Sequence, residues 1–325
     1  AAPKDTGVRT PVGGDANFPR VPRPRLGRRE TGPVTLHVNV LGPVGVERFG
    51  APVGLGGSTP RLLLAVLAAN RGRVVSSDRL CDALWGDDQP ATAATTLQSH
   101  VSRLRRALRP DVQIDGAASG YALMAEPGTI DADRFRRAVA VVDRSMDPVA
   151  VRDALGEALS WWMGPAFGEF AENEWVSAEA ANLDELRMSA TEWWIDARLE
   201  LGADLGLVGD LERFVREHPL RECFWRQLML ALYRSGRQGE ALRRGAELTT
   251  LLREELGLDP SPAVRQLEAR ILADDPQLHN TDRRSTGHPP ARGVTEVPTP
   301  LIGREADLAR LRALTATERI LTLVG

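Results

Sequence analysis

Residues 91–108 carry arginines, a glutamine and small hydroxyl side chains at spacings that suit reading the edges of nucleic-acid bases, and no acid stands among them. At about 100° per residue, Leu97, Val101, Leu104 and Leu108 fall on one apolar stripe, which Ala94 joins. Thr92, Thr95, Ser99, Ser102, Arg103 and Arg106 fall opposite the stripe. Gln98 and Arg105 lie on one flank and His100 on the other. Small hydroxyl residues let a helix approach closely, an arginine can take O6 and N7 of guanine together, and a glutamine can pair with adenine. Arg105, Arg106 and Arg109, near the helix end, can equally hold phosphates and set the register. An ordinary basic surface helix has the same look, so the neighbouring elements decide between the two readings.

Those neighbours are legible on both sides. Ser58-Thr59-Pro60 puts a capping hydroxyl before a proline at the first helical position, which predicts a helix over 61–69. The free N–H groups at its start, together with Arg61, offer a phosphate contact. Ser76-Ser77 caps a second helix over 78–85 that Gly86 ends, and the polar loop 87–90 leads into the third. After Arg109-Pro110, the runs 112–114 and 121–124 flank a Gly/Ser turn as a hairpin does, with Tyr121 facing the same ligand. Upstream, 34–41 alternates apolar and polar residues, and 44–49 and 53–55 follow across glycine-rich turns. A small antiparallel sheet, three helices and a hairpin spell a winged helix-turn-helix over 34–125.

From Asp131 to about Leu272 the pattern is helical, punctuated by Pro148, Gly164-Pro165, Gly202, Gly209, Pro219, Gly236, Gly239 and Gly257. Helices of this length joined by tight turns predict antiparallel pairs. Residues 219–252, with Leu228, Ala231, Leu232 and Tyr233 before Gly236 and Ala241 after it, come closest to a TPR unit. The expected fold is therefore mainly α: a winged helix-turn-helix with a small antiparallel sheet and wing hairpin, then a TPR-like α-helical domain over 131–272. Residues 1–33, with Arg20, Arg23, Arg25, Arg28 and Arg29 among prolines, read as a disordered tail or a phosphate-binding arm. Residues 273–298 have linker composition. In 299–325 a short amphipathic helix precedes a buried strand, Ile320 to Gly325.

The bulk properties narrow the classes further. The 41 Lys+Arg residues nearly balance the 44 Asp+Glu, so any affinity for nucleic acid must be local. Cys81 and Cys223 sit far apart in apolar helical stretches, which argues against a disulfide framework and for the cytoplasm. No apolar run reaches the roughly 20 residues that span a bilayer, and 1–33 lacks the apolar core of a signal peptide. The histidines (His37, His100, His218, His279, His288) have no metal-ligand spacing. Trp161-Trp162 and Trp193-Trp194 read as packing between helices before ligand stacking, and Glu254-Glu255 as a solvated face. No catalytic constellation emerges, so neither an enzyme nor a bound metal or cofactor is expected.

Leu41-Gly42-Pro43, the run from Asp78 through Leu84-Trp85-Gly86, and Leu97-Gln98-Ser99-His100-Val101-Ser102-Arg103-Leu104-Arg105-Arg106-Ala107-Leu108 resemble the SARP family, antibiotic regulatory proteins of actinomycetes. The later motifs Glu217-His218-Pro219-Leu220-Arg221-Glu222 and Glu254-Glu255-Leu256-Gly257-Leu258-Asp259-Pro260 resemble its bacterial transcriptional activation domain. The resemblance implies an OmpR-type winged helix that binds tandem direct repeats at promoters as a dimer on DNA. It also implies recruitment of RNA polymerase holoenzyme through its sigma factor, usually at secondary-metabolite (antibiotic) genes. Large members carry a STAND-type, NB-ARC-like ATPase next, and Leu301-Ile302-Gly303-Arg304-Glu305 with Ile320 to Gly325 look like its entry. ATP or ADP would belong to that domain, whose phosphate-binding loop would only begin at Gly325. Two departures stand out: the wing turn Asp115 to Tyr121 lacks an arginine, and Gly245 replaces a bulky residue. The rival expectation is a protein-interaction or ligand-sensing helical module that uses the winged helix as a docking surface.

Overall fold

Alternating burial in β1 (Leu36–Asn39) seats Leu36 and Val38 in the core. A computed structural model describes residues 36–117, 119–143, 145–202 and 204–279; the tail 1–33, the linker beyond His279 and segment 299–325 lie outside them. β1 pairs antiparallel with β2 (Gly45–Arg48), Val38 opposite Val46, and β3 (Ala51–Pro52) completes the sheet. The third strand falls just before the expected 53–55 run. Val53 still donates to the Val46 carbonyl at 2.8 Å, and glycines then take the chain away.

The next helix, α1 (Ser58–Ala69), starts three residues earlier than expected. Its N-cap is Gly57, at φ 116°, without a side-chain cap, so Ser58 and Thr59 occupy the first turn instead of capping it. α2 (Ser77–Trp85) does have its expected cap: the Ser76 hydroxyl accepts from the Arg79 N–H at 3.2 Å, and Gly86 closes the helix. α3 (Ala93–Leu108) buries Ala93, Leu97, Val101, Leu104 and Leu108. Ala93 and not Ala94 heads this stripe, because successive buried positions fall four residues apart through Val101; Ala94 sits 100° round the helix and is exposed. Burial of each leucine stabilises the helix by roughly 1.5–3 kcal/mol.

β5 (Val112–Ala117) and β6 (Gly120–Ala125) make the hairpin, with Ile114 opposite Leu123. A strand of two residues, β4 (Val75–Ser76), joins β6 on its other side, giving the order β4-β6-β5. Gly120 is required there: a Cβ on it would stand 1.9 Å from the Val75 carbonyl oxygen.

Among the described residues seven α-helices follow: α4 (Asp131–Ala140), α5 (Pro148–Leu159), α6 (Ser177–Glu200), α7 (Asp204–Glu217), α8 (Glu222–Arg234), α9 (Gln238–Leu256) and α10 (Pro262–Leu272). α8 and α9 turn back on each other at Gly236, φ 80°, where fully buried Ala231 and Ala241 permit close approach. α6 is apolar on two sides. Leu183 and Ala190 enter one core, Met188, Ile195 and Leu199 a second one shared with the helices after it.

The first core runs unbroken from β1 and α1–α3 into α4, α5 and α6, so the winged helix and the start of the helical domain share one interior. Three contacts sew them together. The buried Asp131 carboxylate accepts the backbone N–H groups of Val40 and Leu41. Met163 and Phe167 donate their N–H groups to the Leu41 and Val40 carbonyls at 2.7 and 2.6 Å. Gly42, at φ 152°, passes so close to Met163 that a Cβ would stand 2.8 Å from the Met163 Cβ.

Residues 273–278, read as linker from composition, belong to the folded unit. Leu278 is buried, its carbonyl takes the Arg234 Nε–H at 2.8 Å, and Asp274 accepts from the Tyr233 hydroxyl at 2.6 Å. Among the described residues no helix is long and apolar enough to cross a membrane.

Candidate nucleic-acid interface

With its apolar stripe buried, α3 turns its other side outward. Thr92, Thr95, Gln98, Ser99, Ser102, Arg103 and Arg106 are all exposed. Ser99 donates its hydroxyl back to the Thr95 carbonyl at 3.0 Å, leaving its lone pairs to accept. The Arg106 side chain makes no hydrogen bond or ion pair to the described residues, and Arg109 follows it on the exposed end of the helix. Arg103 leans back toward the loop before α1, its Nη1 3.3 Å from the Gly56 carbonyl oxygen. Gly56 has φ 84°, and a side chain there would collide with the Arg103 guanidinium.

The two flanks of α3 do different things. His100 is half-buried against Trp85 of α2, ring centroids 6.5 Å apart. Burial, then the charge of Arg103, lower the pKa of its imidazole, so at neutral pH it carries less charge than a free histidine would. On the other flank Arg105 faces the hairpin. Its Nε donates to the Ile114 carbonyl at 2.8 Å, and its guanidinium lies 5.7 Å from the centre of the half-buried Tyr121 ring.

Arg61, expected at a phosphate, is engaged elsewhere. Its Nη1 stands 2.7 Å from Glu169 of the helical domain, and its guanidinium lies 5.8 Å from the Phe170 ring centre. A phosphate contact would need it to leave Glu169. The same segment grips α2: Asn173 donates to the Ala83 carbonyl at 3.3 Å, and Trp175 lies 5.5 Å beneath the Arg79 guanidinium. The helical domain thus holds α1 and α2 from behind and leaves the outward face of α3 uncovered.

One positioning residue had no sequence signal. Arg48 of β2 donates to the Ala107 and Arg109 carbonyls at the C-terminal end of α3, satisfying acceptors that a helix end leaves free. The tryptophan pairs pack on the apolar cores, and arginines lie over three of their four rings. Arg134 lies 3.7 Å from the Trp161 ring centre, Arg187 4.4 Å from Trp162 and Arg198 4.5 Å from Trp194. Among the described residues no cluster of His, Cys, Asp and Glu could hold a metal ion.

Two known families match this architecture. Residues 55–118 match the C-terminal domain of transcriptional regulatory proteins, and 130–272 match the bacterial transcriptional activator domain. Regulatory protein DnrI of Streptomyces peucetius is 32% identical over 80% of this chain and 99% of its own length. Transcriptional regulator RedD of Streptomyces coelicolor is 34% identical over 75% of this chain and 72% of its own. The chain belongs to the SARP family of transcriptional regulators.

The match to regulatory protein AfsR of Streptomyces coelicolor is 37% identical over 80% of this chain, which spans about a quarter (27%) of that longer SARP relative. A structure of Mycobacterium tuberculosis EmbR, in complex with a low-affinity phosphopeptide, aligns with TM-score 0.65 and 32% identity over 74% of this chain and 66% of that one. These relatives are named as regulatory proteins or transcriptional regulators. The activator-domain match opens at Ile130, beside Asp131, so the division between the two SARP modules falls on the shared core and not on a free linker.

Proposed function

We propose that this chain reads promoter DNA with α3 and activates transcription by bringing RNA polymerase to the site. The observation that carries the reading is the sidedness of α3. Its apolar stripe is buried, while Thr92, Thr95, Gln98, Ser99, Ser102, Arg103 and Arg106 stand exposed on an acid-free helix. A major groove about 12 Å wide admits such a helix, and small residues along its first turns allow the approach. Gln98 and Arg103 are the base readers in this proposal, while Arg106 and Arg109 hold phosphates. The sites are tandem direct repeats, the protein acts as a dimer on DNA, and the polymerase contact runs through its sigma factor. The genes are those of secondary metabolism, and the compartment is the cytoplasm. The family membership and the names of DnrI and RedD support regulation of transcription; the finer assignments rest on the chemistry of α3 and on the family resemblance.

The test is fluorescence anisotropy of the full chain on a promoter fragment with tandem repeats against a scrambled duplex, at two salt concentrations. Specific binding tighter by about 10³-fold or more, weakening as salt rises, is expected. Equal binding to both duplexes across a panel of repeat-bearing promoters would overturn the reading.

A further inference from the structure

The wing hairpin leaves one strand edge to be satisfied. In the order β4-β6-β5, β6 is paired on both sides, whereas among the described residues β5 has a sheet partner on one side only. Its outward carbonyls need other donors, since a backbone acceptor left without one is costly. α3 lies along that edge, and it supplies Arg105: Nε takes the Ile114 carbonyl at 2.8 Å. The guanidinium continues over the hairpin, 5.7 Å from the Tyr121 ring centre, within the range of a cation–π contact. It passes beside Gly116, where an added Cβ would lie 3.4 Å from Arg105 Nη2. Gly116 and Tyr121 are directly opposite each other in the ladder, so one side chain grips both strands.

We propose that Arg105 is a positioning residue, not a DNA contact: through the Ile114 carbonyl and the Tyr121 ring it fixes the wing at a set angle to the recognition helix. This rests on α3 being the helix that reads DNA. The recognition helix and the wing meet DNA at separate places, so their mutual angle decides whether both fit. Rigidity that preorganises them therefore strengthens binding without touching the ligand. Arginine is the residue for this task, because its planar fork can bond a carbonyl and lie on a ring together, which a lysine ammonium cannot do. The contact also gives the wing a fixed place although its turn carries no cation of its own between Val112 and Gly120.

The test uses the full chain and two readouts. The first is hydrogen–deuterium exchange in the DNA-free protein. Arg105→Ala is expected to speed exchange of the β5–β6 amides about tenfold, the effect of losing a charge-assisted hydrogen bond, and Tyr121→Ala, which loses the ring contact, about threefold or more. Arg106→Ala should leave the exchange unchanged. The second readout is the salt dependence of binding to a specific duplex. Arg105→Ala is expected to weaken binding about tenfold with the slope of log affinity against log salt unchanged, whereas loss of a phosphate contact lowers that slope by about 1. Arg105→Lys keeps the charge and should still fail to restore affinity.

Wild-type wing exchange in Arg105→Ala would overturn the proposal, as would a lowered salt slope or full rescue by lysine. The exchange readout needs no DNA. A chain that showed no sequence preference would therefore sink the proposed function while leaving the Arg105 clamp separately decided.

Discussion

Asp131, the first residue of α4, accepts the backbone N–H of Leu41 at 3.0 Å across 90 residues of sequence. The same carboxylate takes the N–H of Val40 and, at 2.7 Å, that of Ala132. One short side chain thereby ties the chain just past β1 to the first turn of α4, across the seam between the two modules. Asp131→Ala would strip the seam amides of their acceptor in a buried place. At pH 7 it is expected to destabilise the whole unit by about 2 kcal/mol, as one cooperative urea transition. A second, earlier transition in the variant would show that the modules unfold separately and that the shared core does not couple them.

The same group predicts a pH dependence. Burial raises the Asp131 carboxyl from 3.8 to about 6, outweighing the backbone N–H groups of Leu41, Val40 and Ala132 that pull it down. A folded pKa above the unfolded one means that the folded state binds the proton more tightly. The stabilisation is complete below pH 3.8 and is lost as pH rises through about 6, with a ceiling of about 3 kcal/mol. Asp131→Asn does not titrate. The stability of the wild type relative to this variant should therefore fall between pH 5 and pH 7, read from urea midpoints at both. A difference that stays constant across that window would contradict the raised pKa.

Gly245 of α9 predicts an asymmetry between small and large replacements. Its place is buried, and an added Cβ would lie 3.0 Å from Met229 Cε, the far end of a flexible side chain, and 3.7 Å from Glu268 Oε1. Met229 thus fills the space that a bulky residue at 245 would take. Gly245→Ala gains about 1 kcal/mol of helix propensity and displaces only a methyl group, so it should unfold within about 1 kcal/mol of the wild type. Gly245→Phe overfills the site and should lose about 1–3 kcal/mol. Equal stability of the two variants would mean that Met229 does not occupy that gap.

How much of this was legible in the sequence depended on how local the physics is. α2 could be read because Ser76 and Gly86 cap it from adjacent positions, and α3 because four apolar residues recur at helical spacing. β4 could not, since two residues make no pattern and Val75 is a strand only by pairing with Tyr121. The start of α1 moved to Ser58 because Gly57 serves as N-cap, a conformation that does not advertise itself beside a Ser-Thr pair. The outward face of α3 followed from periodicity alone, yet the partners of its arginines did not. Arg105 meets Ile114 through an edge-strand carbonyl, and Arg61 meets Glu169 across 108 residues, and neither bond leaves a trace in local spacing. Leu41-Gly42-Pro43 stood out as a motif before its reason was visible. The reason is the crossing of Gly42 over Met163.

The last prediction separates the readers of bases within α3. Arg103 sits at mid-helix, opposite the buried stripe, and its only bond to the described residues is the long one to the Gly56 carbonyl, so it can swing into a groove at little cost. Gln98 is five residues earlier, about 140° round the helix on the flank it shares with Arg105, and its exposed amide can pair with a single base. If both read base edges, Arg103→Ala and Gln98→Ala should each weaken the specific duplex by about 1–3 kcal/mol. Each should also relax preference at its own base-pair position, and binding to a scrambled duplex should change much less. Competition binding against a library of single-position operator variants measures this directly. A uniform loss over all sequences for Arg103→Ala would reassign it to a phosphate. Unaltered preference in both variants would mean that this face of α3 is not the surface that discriminates between sequences.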